Sequence, residues 1–326
     1  MKLNRWRTNN FGRFSKPSDQ LSAAAGRPFA LITGGSSGMG AEYAKQLAWI
    51  GYSVIIVSNQ EDAGKAVAAQ IAEQQHCANH TESSFKNNEA VQEVPEQCVI
   101  ALYRDLALQD AAQELFDWCR QHNYDVEVLV NDAGMFFFEE VTDVSTAKID
   151  TILNLHIHTL TMLCRLFGQR MKQREAGVIG DKQLPRGYII NMSSISTFTP
   201  YCGITLYTAT KSYIKTFSKA FYLEMKRAGV NVTVVCPGAV ATPLYNLKSN
   251  LMELGVRLGI IARPQKIVRR ALTALYSGHK ICIPTLLDYA YRPLFALIPD
   301  GFKFYMRRKL HLGEFREKGE KSDTKN

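Results

Sequence analysis

Six short apolar runs, separated by helix-length segments, constrain this chain more than any other feature. They are PFALIT (28–33), YSVIIVS (52–58), QCVIALY (97–103), VEVLVN (126–131), GYIINM (187–192) and VNVTVVCP (230–237). Each is near-continuously apolar rather than alternating, as a strand covered on both faces must be. Helical patterns lie between them at 38–50, 61–75, 107–122, 145–173 and 205–228, and a seventh run, KICIPT (280–285), follows another at 264–277. Such alternation needs right-handed crossovers, which predicts an α/β fold built on a doubly wound parallel sheet of about seven strands. Ligands then gather at the carboxyl ends of the strands, near the point where the strand order reverses.

Charge separates the body from its ends. The net charge of +9 is concentrated in residues 1–30, at +5, and residues 301–326, at +4, so the remainder is neutral. No interleaved aromatic and basic motif accompanies the basic ends, and a nucleic-acid partner is not expected. The domain reading is a basic extension at 1–27, one α/β domain at 28–285 that carries the ligand-gathering strand ends, and an aromatic, basic extension at 286–326. No apolar run is long enough to span a bilayer, and the N-terminal segment lacks the apolar stretch of a secretory signal. The seven cysteines are scattered and never form C-x-x-C, which reads as reduced thiols in a cytoplasmic protein without a zinc site. Residues 74–96 are polar and read as an extended loop; His76, Cys77 and His80 within it lack the further ligands that a metal needs. The segment after 286 is expected to dock on the core or cover a cleft, with contact at an anionic membrane surface left open.

Directly after the first run stands TGGSSGMG, in which Thr33, Gly34, Gly38 and Gly40 make the pattern T-G-x-x-x-G-x-G. Glycine admits positive φ and lets backbone approach a pyrophosphate, whose charge then sits at the N-terminus of the following helix. Ser36, Ser37 and Met39, inside the turn, join the candidate cofactor contacts. This spacing resembles the glycine motif of the short-chain dehydrogenase/reductase family, and the resemblance extends over residues 28–285 in the family's order. Asp105-Leu106 follows the third run where the family binds adenine. NDAG (131–134) matches the family's N-N-A-G at Asn131, Ala133 and Gly134, and departs from it at Asp132. Asn154 falls where the family keeps a proton-relay asparagine, Ser194 ends NMSS, and CPGAVAT carries Pro237, Gly238, Val240 and Thr242 at the nicotinamide motif.

The stretch YTATKSYIKTFSKAFYLEMK (207–226) holds two Tyr–Lys pairs at i, i+4, and chance alone supplies about one in a chain with 14 tyrosines. Fifteen residues of helix put Tyr207 and Tyr222 about 22 Å apart, too far to share a site. Tyr207 with Lys211 opens its helix at the ligand-gathering end, whereas Tyr222 with Lys226 reads as a packed aromatic and a solvated lysine. A phenol titrating at about 10 exchanges protons poorly near neutrality, and an adjacent ammonium favours its phenolate.

The resemblance implies an enzyme that transfers hydride between NAD(P) and a carbonyl or secondary alcohol. In the reductive direction Tyr207 protonates the alkoxide, Ser194 hydrogen-bonds the carbonyl oxygen, Lys211 holds the ribose hydroxyls, and Asn154 positions a water. Ser194 is preferred to Ser193 because it keeps the family's spacing to Tyr207. The second run ends in Ser58-Asn59-Gln60, without the acid that binds a free ribose 2′-hydroxyl, so NADP is expected, with NAD the alternative and Ser58 and Asn59 as neutral donors. The leucines and isoleucines of 243–264, MFFFEE after Gly134 and the aromatic C-terminal segment suggest an apolar ketone, steroid-like or fatty-acyl-like. The family also implies a homo-oligomer built through its long helices. A nucleotide-binding sensor or interaction protein without turnover is the alternative from another class.

Overall fold

The structure, a computed structural model, describes residues 28–83, 98–179, 182–198, 201–242, 249–285, 288–289 and 301. Among these residues seven strands form one sheet in the order β3-β2-β1-β4-β7-β8-β9, and every pairing is parallel. The strands are β1 (Phe29–Thr33), β2 (Ser53–Ser58), β3 (Val99–Tyr103), β4 (Val126–Asn131), β7 (Gly187–Met192), β8 (Val230–Val235) and β9 (Ile281–Cys282). Every residue of β2 and β7 is buried, as expected for apolar runs with helices on both faces.

One face is covered by α1 (Gly38–Ile50) and α8 (Pro264–Tyr276), whose Leu47 and Leu272 pack with Ile32 and Ile56. The other is covered by α3 (Ala111–Gln121), α5 (Leu160–Gln173) and α6 (Thr205–Lys226), with Leu115, Phe167 and Ile214 against Leu31 and Leu129. After β1 the chain winds through β2 to β3, then returns to place β4 on the other side of β1. The crevice this reversal opens, between the ends of β1 and β4, is where the sheet can receive a ligand.

Three local expectations are corrected. Helix α2 (Glu61–Ser83) continues through residues 74–83, which had read as loop; 84–97 lie outside the described residues. Its alanines, glutamates and glutamines are strong helix formers and sustain the helix after the apolar periodicity ends. The long helix expected over 145–173 divides into α4 (Thr146–Leu153), a π-helical segment (Asn154–Thr159) and α5. A small antiparallel pair, β5 (Val178–Ile179) with β6 (Lys182–Gln183), precedes β7 and was not anticipated.

A run of buried amides joins the sheet to α6. The Asn131 Nδ2 amide donates to Asn191 Oδ1 at 2.8 Å, and Asn191 Nδ2 donates to Ser218 Oγ at 2.9 Å. These bonds set β4, β7 and α6 at one height, directly below the strand ends. Asn191→Ala leaves Ser218 and the Asn131 amide short of a partner in a buried place, at an expected cost of about 2–3 kcal/mol. Urea denaturation checks it: the midpoint falls and the slope is unchanged.

Candidate active site

At the carboxyl ends of β1, β2, β3, β4 and β7 the chain surrounds a cavity of about 590 Å³. The glycine turn forms its floor. Gly34 N–H donates to Val57 O at 2.8 Å, folding the turn over the end of β2. A Cβ at Gly40 would stand 2.2 Å from Gly34 O, so only glycine lets the first turn of α1 close on the loop that precedes it. Ser37 caps α1 without a side-chain hydrogen bond, and the first turn of α1 carries no acidic side chain. Backbone N–H groups at such a helix start suit an anion.

Gly34, Ser36, Ser37, Gly38 and Met39 line the cavity on this side, and Ser58 and Asn59 line it at the end of β2. Ser58 Oγ donates to Ser36 Oγ at 2.8 Å, and Ser36 Oγ donates to Gln60 Oε1 at 3.2 Å, so the two serines are held side by side. Asp105 and Leu106 line the wall after β3, where Asp105 Oδ1 accepts from Ala107 N–H at 3.0 Å. Ala133 and Gly134 line the end of β4, and Pro237, Val240 and Thr242 the far wall.

Ser194, Tyr207 and Lys211 line this same cavity. Tyr207 is buried with its ring edge-on to Phe136, centroids 5.0 Å apart. Lys211 Nζ lies 5.7 Å from the Tyr207 ring centroid and donates to Met192 O at 2.9 Å. Ser193 Oγ instead donates to Lys211 O at 2.8 Å, which fastens α6 to the strand end, while Ser194 Oγ accepts from Ser196 N–H at 3.2 Å. The second pair is elsewhere: Tyr222 Oη donates to Gly278 O at 3.2 Å, and Lys226 Nζ stands 5.4 Å from the Tyr222 ring centroid.

Five predicted site residues do not line the cavity. Thr33 Oγ1 accepts from Asp132 N–H and Ala133 N–H, each at 3.1 Å, and so ties β1 to the loop after β4. Gly40 and Asn131 support the floor, as described above. Asn154 begins the π-helical segment. Gly238 N–H donates to Asp288 Oδ2 at 3.0 Å, which brings a residue from beyond β9 against the P-G motif.

Several lining residues escaped the sequence reading. Arg104 is one; its backbone N–H donates to Ser58 O at 2.9 Å, which places it beside the end of β2, and its guanidinium pairs with Glu114. The clue available was the parallel alternation itself, which makes residues ending adjacent strands neighbours. Thr151 and Leu155 also line the cavity without any local motif to mark them, whereas Met135, which joins them, opens the MFFFEE segment already read as facing an apolar ligand.

A family model for the short chain dehydrogenases matches residues 28–99 and 75–251. This chain belongs to that family. An uncharacterized oxidoreductase of Staphylococcus epidermidis is 27% identical over 216 residues, 66% of this chain and 79% of that protein. The very-long-chain 3-oxoacyl-CoA reductase of Rattus norvegicus is 26% identical over 69% of this chain, which spans 63% of that enzyme's length. Among solved structures, a short-chain dehydrogenase from Sphingobium yanoikuyae in complex with NADPH superimposes with a TM-score of 0.63 at 25% identity, covering 83% of this chain and 96% of that one.

In this short-chain dehydrogenase the electrostatics centre on Asp132, the position that departs from N-N-A-G. Burial raises its carboxyl to about 7, while the Lys211 ammonium and the Gly40 N–H pull the other way. Burial lowers Lys211 to about 8, and Asp132 opposes that fall. Each charge makes the other tolerable away from water. A carboxyl raised by folding contributes stability below its unfolded value that is lost as pH rises toward its folded one. Asp132→Asn removes that dependence, so between about pH 5 and about pH 7 the wild-type Tm should fall relative to the variant's. Parallel melting curves across that window check it.

Proposed function

We propose that this short-chain dehydrogenase is an NAD(P)-dependent ketone reductase or alcohol dehydrogenase acting on an apolar substrate. One observation carries the reading: Ser194, Tyr207 and Lys211 line the same cavity as the glycine turn. A dinucleotide fits the residues present. The N–H groups at the start of α1 would suit the pyrophosphate, Asp105 and Leu106 would meet the adenine, and the loop from Asn131 through Ala133 to Gly134 would lie by the ribose. Pro237, Gly238, Val240 and Thr242 would receive the nicotinamide end. When bound, the nicotinamide supplies hydrogen and two electrons to a carbonyl carbon, or takes them back from an alcohol.

The chain's own residues manage the oxygen and the proton. Ser194 Oγ donates a hydrogen bond to the carbonyl oxygen, holding it toward Tyr207. Tyr207 Oη gives its proton to the developing alkoxide, and the Lys211 ammonium stabilises the phenolate left behind while holding the ribose hydroxyls. Asn154, where the helix widens, would hold the water that returns a proton to Lys211. Burial of Tyr207 beneath Phe136 keeps bulk water from the transfer.

NADP is the cofactor proposed. The serine pair, Asn59 and Arg104 line the cavity at the end of β2, where a 2′-phosphate would fall, and the Arg104 guanidinium, paired with Glu114, would turn to meet it. The complex of the Sphingobium enzyme with NADPH supports this choice. An apolar substrate is supported by Met135, Leu155 and Phe136 around Tyr207, and by relatives named as a 3-oxoacyl-CoA reductase and, at 24% identity, the 17-beta-hydroxysteroid dehydrogenase type 3 of Mus musculus. The exposed Leu254, Leu258 and Ile260 in and after α7 (Ser249–Arg257) offer further apolar contact. A homo-oligomer through α5 and α6, in the cytoplasm, completes the reading; among the described residues no helix is long and apolar enough to cross a membrane.

Tyr207→Phe should lower turnover of an apolar ketone by about 10²–10⁴-fold while NADPH still binds, followed by nicotinamide absorbance and by fluorescence titration. Unchanged turnover in that variant would remove the proposed acid. Arg104→Ala should raise the Kd for NADPH by about 10-fold and leave that for NADH unaltered, and equal effects on both would point to NAD.

A further inference from the structure

His156 stands directly behind the Tyr207–Lys211 pair and has no part in the mechanism above. It is almost fully buried on the π-helical segment, whose other buried residue, Thr159, donates from Oγ1 to Leu106 O at 2.8 Å. Both ring nitrogens of His156 have partners. Met135 N–H donates to Nε2 at 3.0 Å, and Nδ1 lies 2.9 Å from Thr210 Oγ1. Thr210 Oγ1 in turn donates to Tyr207 O at 2.9 Å.

The directions of these bonds assign the tautomer. A backbone N–H can only donate, so Nε2 is bare and accepts from Met135. The hydroxyl hydrogen of Thr210 is committed to the Tyr207 carbonyl, so Thr210 Oγ1 is free to accept and Nδ1 carries the hydrogen that it receives. One orientation satisfies every group: Met135 N–H to Nε2, Nδ1–H to Thr210, Thr210 O–H to Tyr207. Burial, with the nearby Lys211 ammonium, also holds the imidazole well below its ordinary titration range.

We propose that His156 is a positioning residue, a neutral imidazole protonated on Nδ1 that clamps the turn at Gly134–Met135 to the first turn of α6. The proposal rests on the reading of Tyr207 and Lys211 as the reacting pair. The clamp joins two surfaces that must keep register during the reaction, the loop beneath the nicotinamide ribose and the helix turn that carries the phenol. Its closeness to both is visible at Gly134, where an added Cβ would stand 3.0 Å from His156 Nε2 and 3.5 Å from Lys211 Nζ. The π-helical turn makes this contact possible, because its wider turn changes which side chains face α6 relative to a regular helix. A histidine that only filled the core would need no such directional chain between catalytic elements.

The test compares His156→Leu, which removes both bonds, with His156→Asn, whose side-chain amide keeps a donor near the Nδ1 position and can still reach Thr210. His156→Leu should lower kcat for ketone reduction about 10²-fold with the NADPH Kd within about 3-fold of wild type, since a small misplacement of reacting groups affects the chemical step. His156→Asn should recover at least 10-fold of that loss. Long-range proton–nitrogen NMR of the full-length protein reads the tautomer without turnover, and the signal absent from His156→Leu identifies the ring. A protonated Nδ1 and a bare Nε2 are expected at neutral pH. Three results would overturn the clamp: a kcat within twofold of wild type in His156→Leu, equal losses in both variants accompanied by weakened NADPH binding, or hydrogen on Nε2. If the wild type reduces no ketone, the enzyme reading fails by itself, and the tautomer still decides whether the clamp exists.

Discussion

An ammonium taken out of water must find charge and hydrogen-bond partners inside the fold, and Lys211 is 5% exposed. Its Nζ donates to the Met192 carbonyl at the end of β7, and Asp132 supplies the opposing charge from the end of β4. These two partners sit on neighbouring strands of a parallel sheet, so the lysine's position depends on the register of β4 with β7, where Asn131 pairs with Asn191. The same two asparagines bond to each other and to Ser218, which brings α6, the helix that carries Lys211, into that register. The sheet, the amide run and the buried ammonium therefore form one mechanical unit beneath the cavity.

Asp132 shows how a local departure is absorbed. A carboxylate in place of the family's asparagine would be costly in a buried loop, yet here it faces both an N–H of α1 and the Lys211 ammonium. The glycine-turn floor of the cavity and the Tyr207–Lys211 pair thereby share one electrostatic balance. His156, bonded to Met135 and Thr210, would contribute direction rather than charge.

Much of this organisation is legible in the chain. The apolar runs at 126–131 and 187–192 coincide with β4 and β7 because strands buried on both faces leave an unbroken apolar signature. Helix α1 begins and ends where the pattern places it, since a glycine turn at one end and Gly51 at the other are local signals. Gly34, Ser58, Asp105 and Ser194 line one cavity because each ends or follows a strand, and Tyr207 and Lys211 join them from the opening turns of α6, since a parallel sheet collects its strand ends and helix starts on one side. The misread segment at 74–83 had weak apolar periodicity but good helix formers, and intrinsic propensity prevailed over the loop reading.

The sequence by itself determined the alternation of strands and helices, the glycine turn and which Tyr–Lys pair opens its helix at the ligand-gathering end, because these depend on residues near one another in the chain. Tertiary structure alone decided that Arg104 stands beside Ser58, that Asp288 meets Gly238 and that Asp132 and Lys211 are buried close enough to shift each other's titration. It also decided that His156 meets Thr210, a residue 54 positions away. Those contacts follow from strand register, helix packing and a π-helical turn, none of which leaves a spacing that can be counted along the chain.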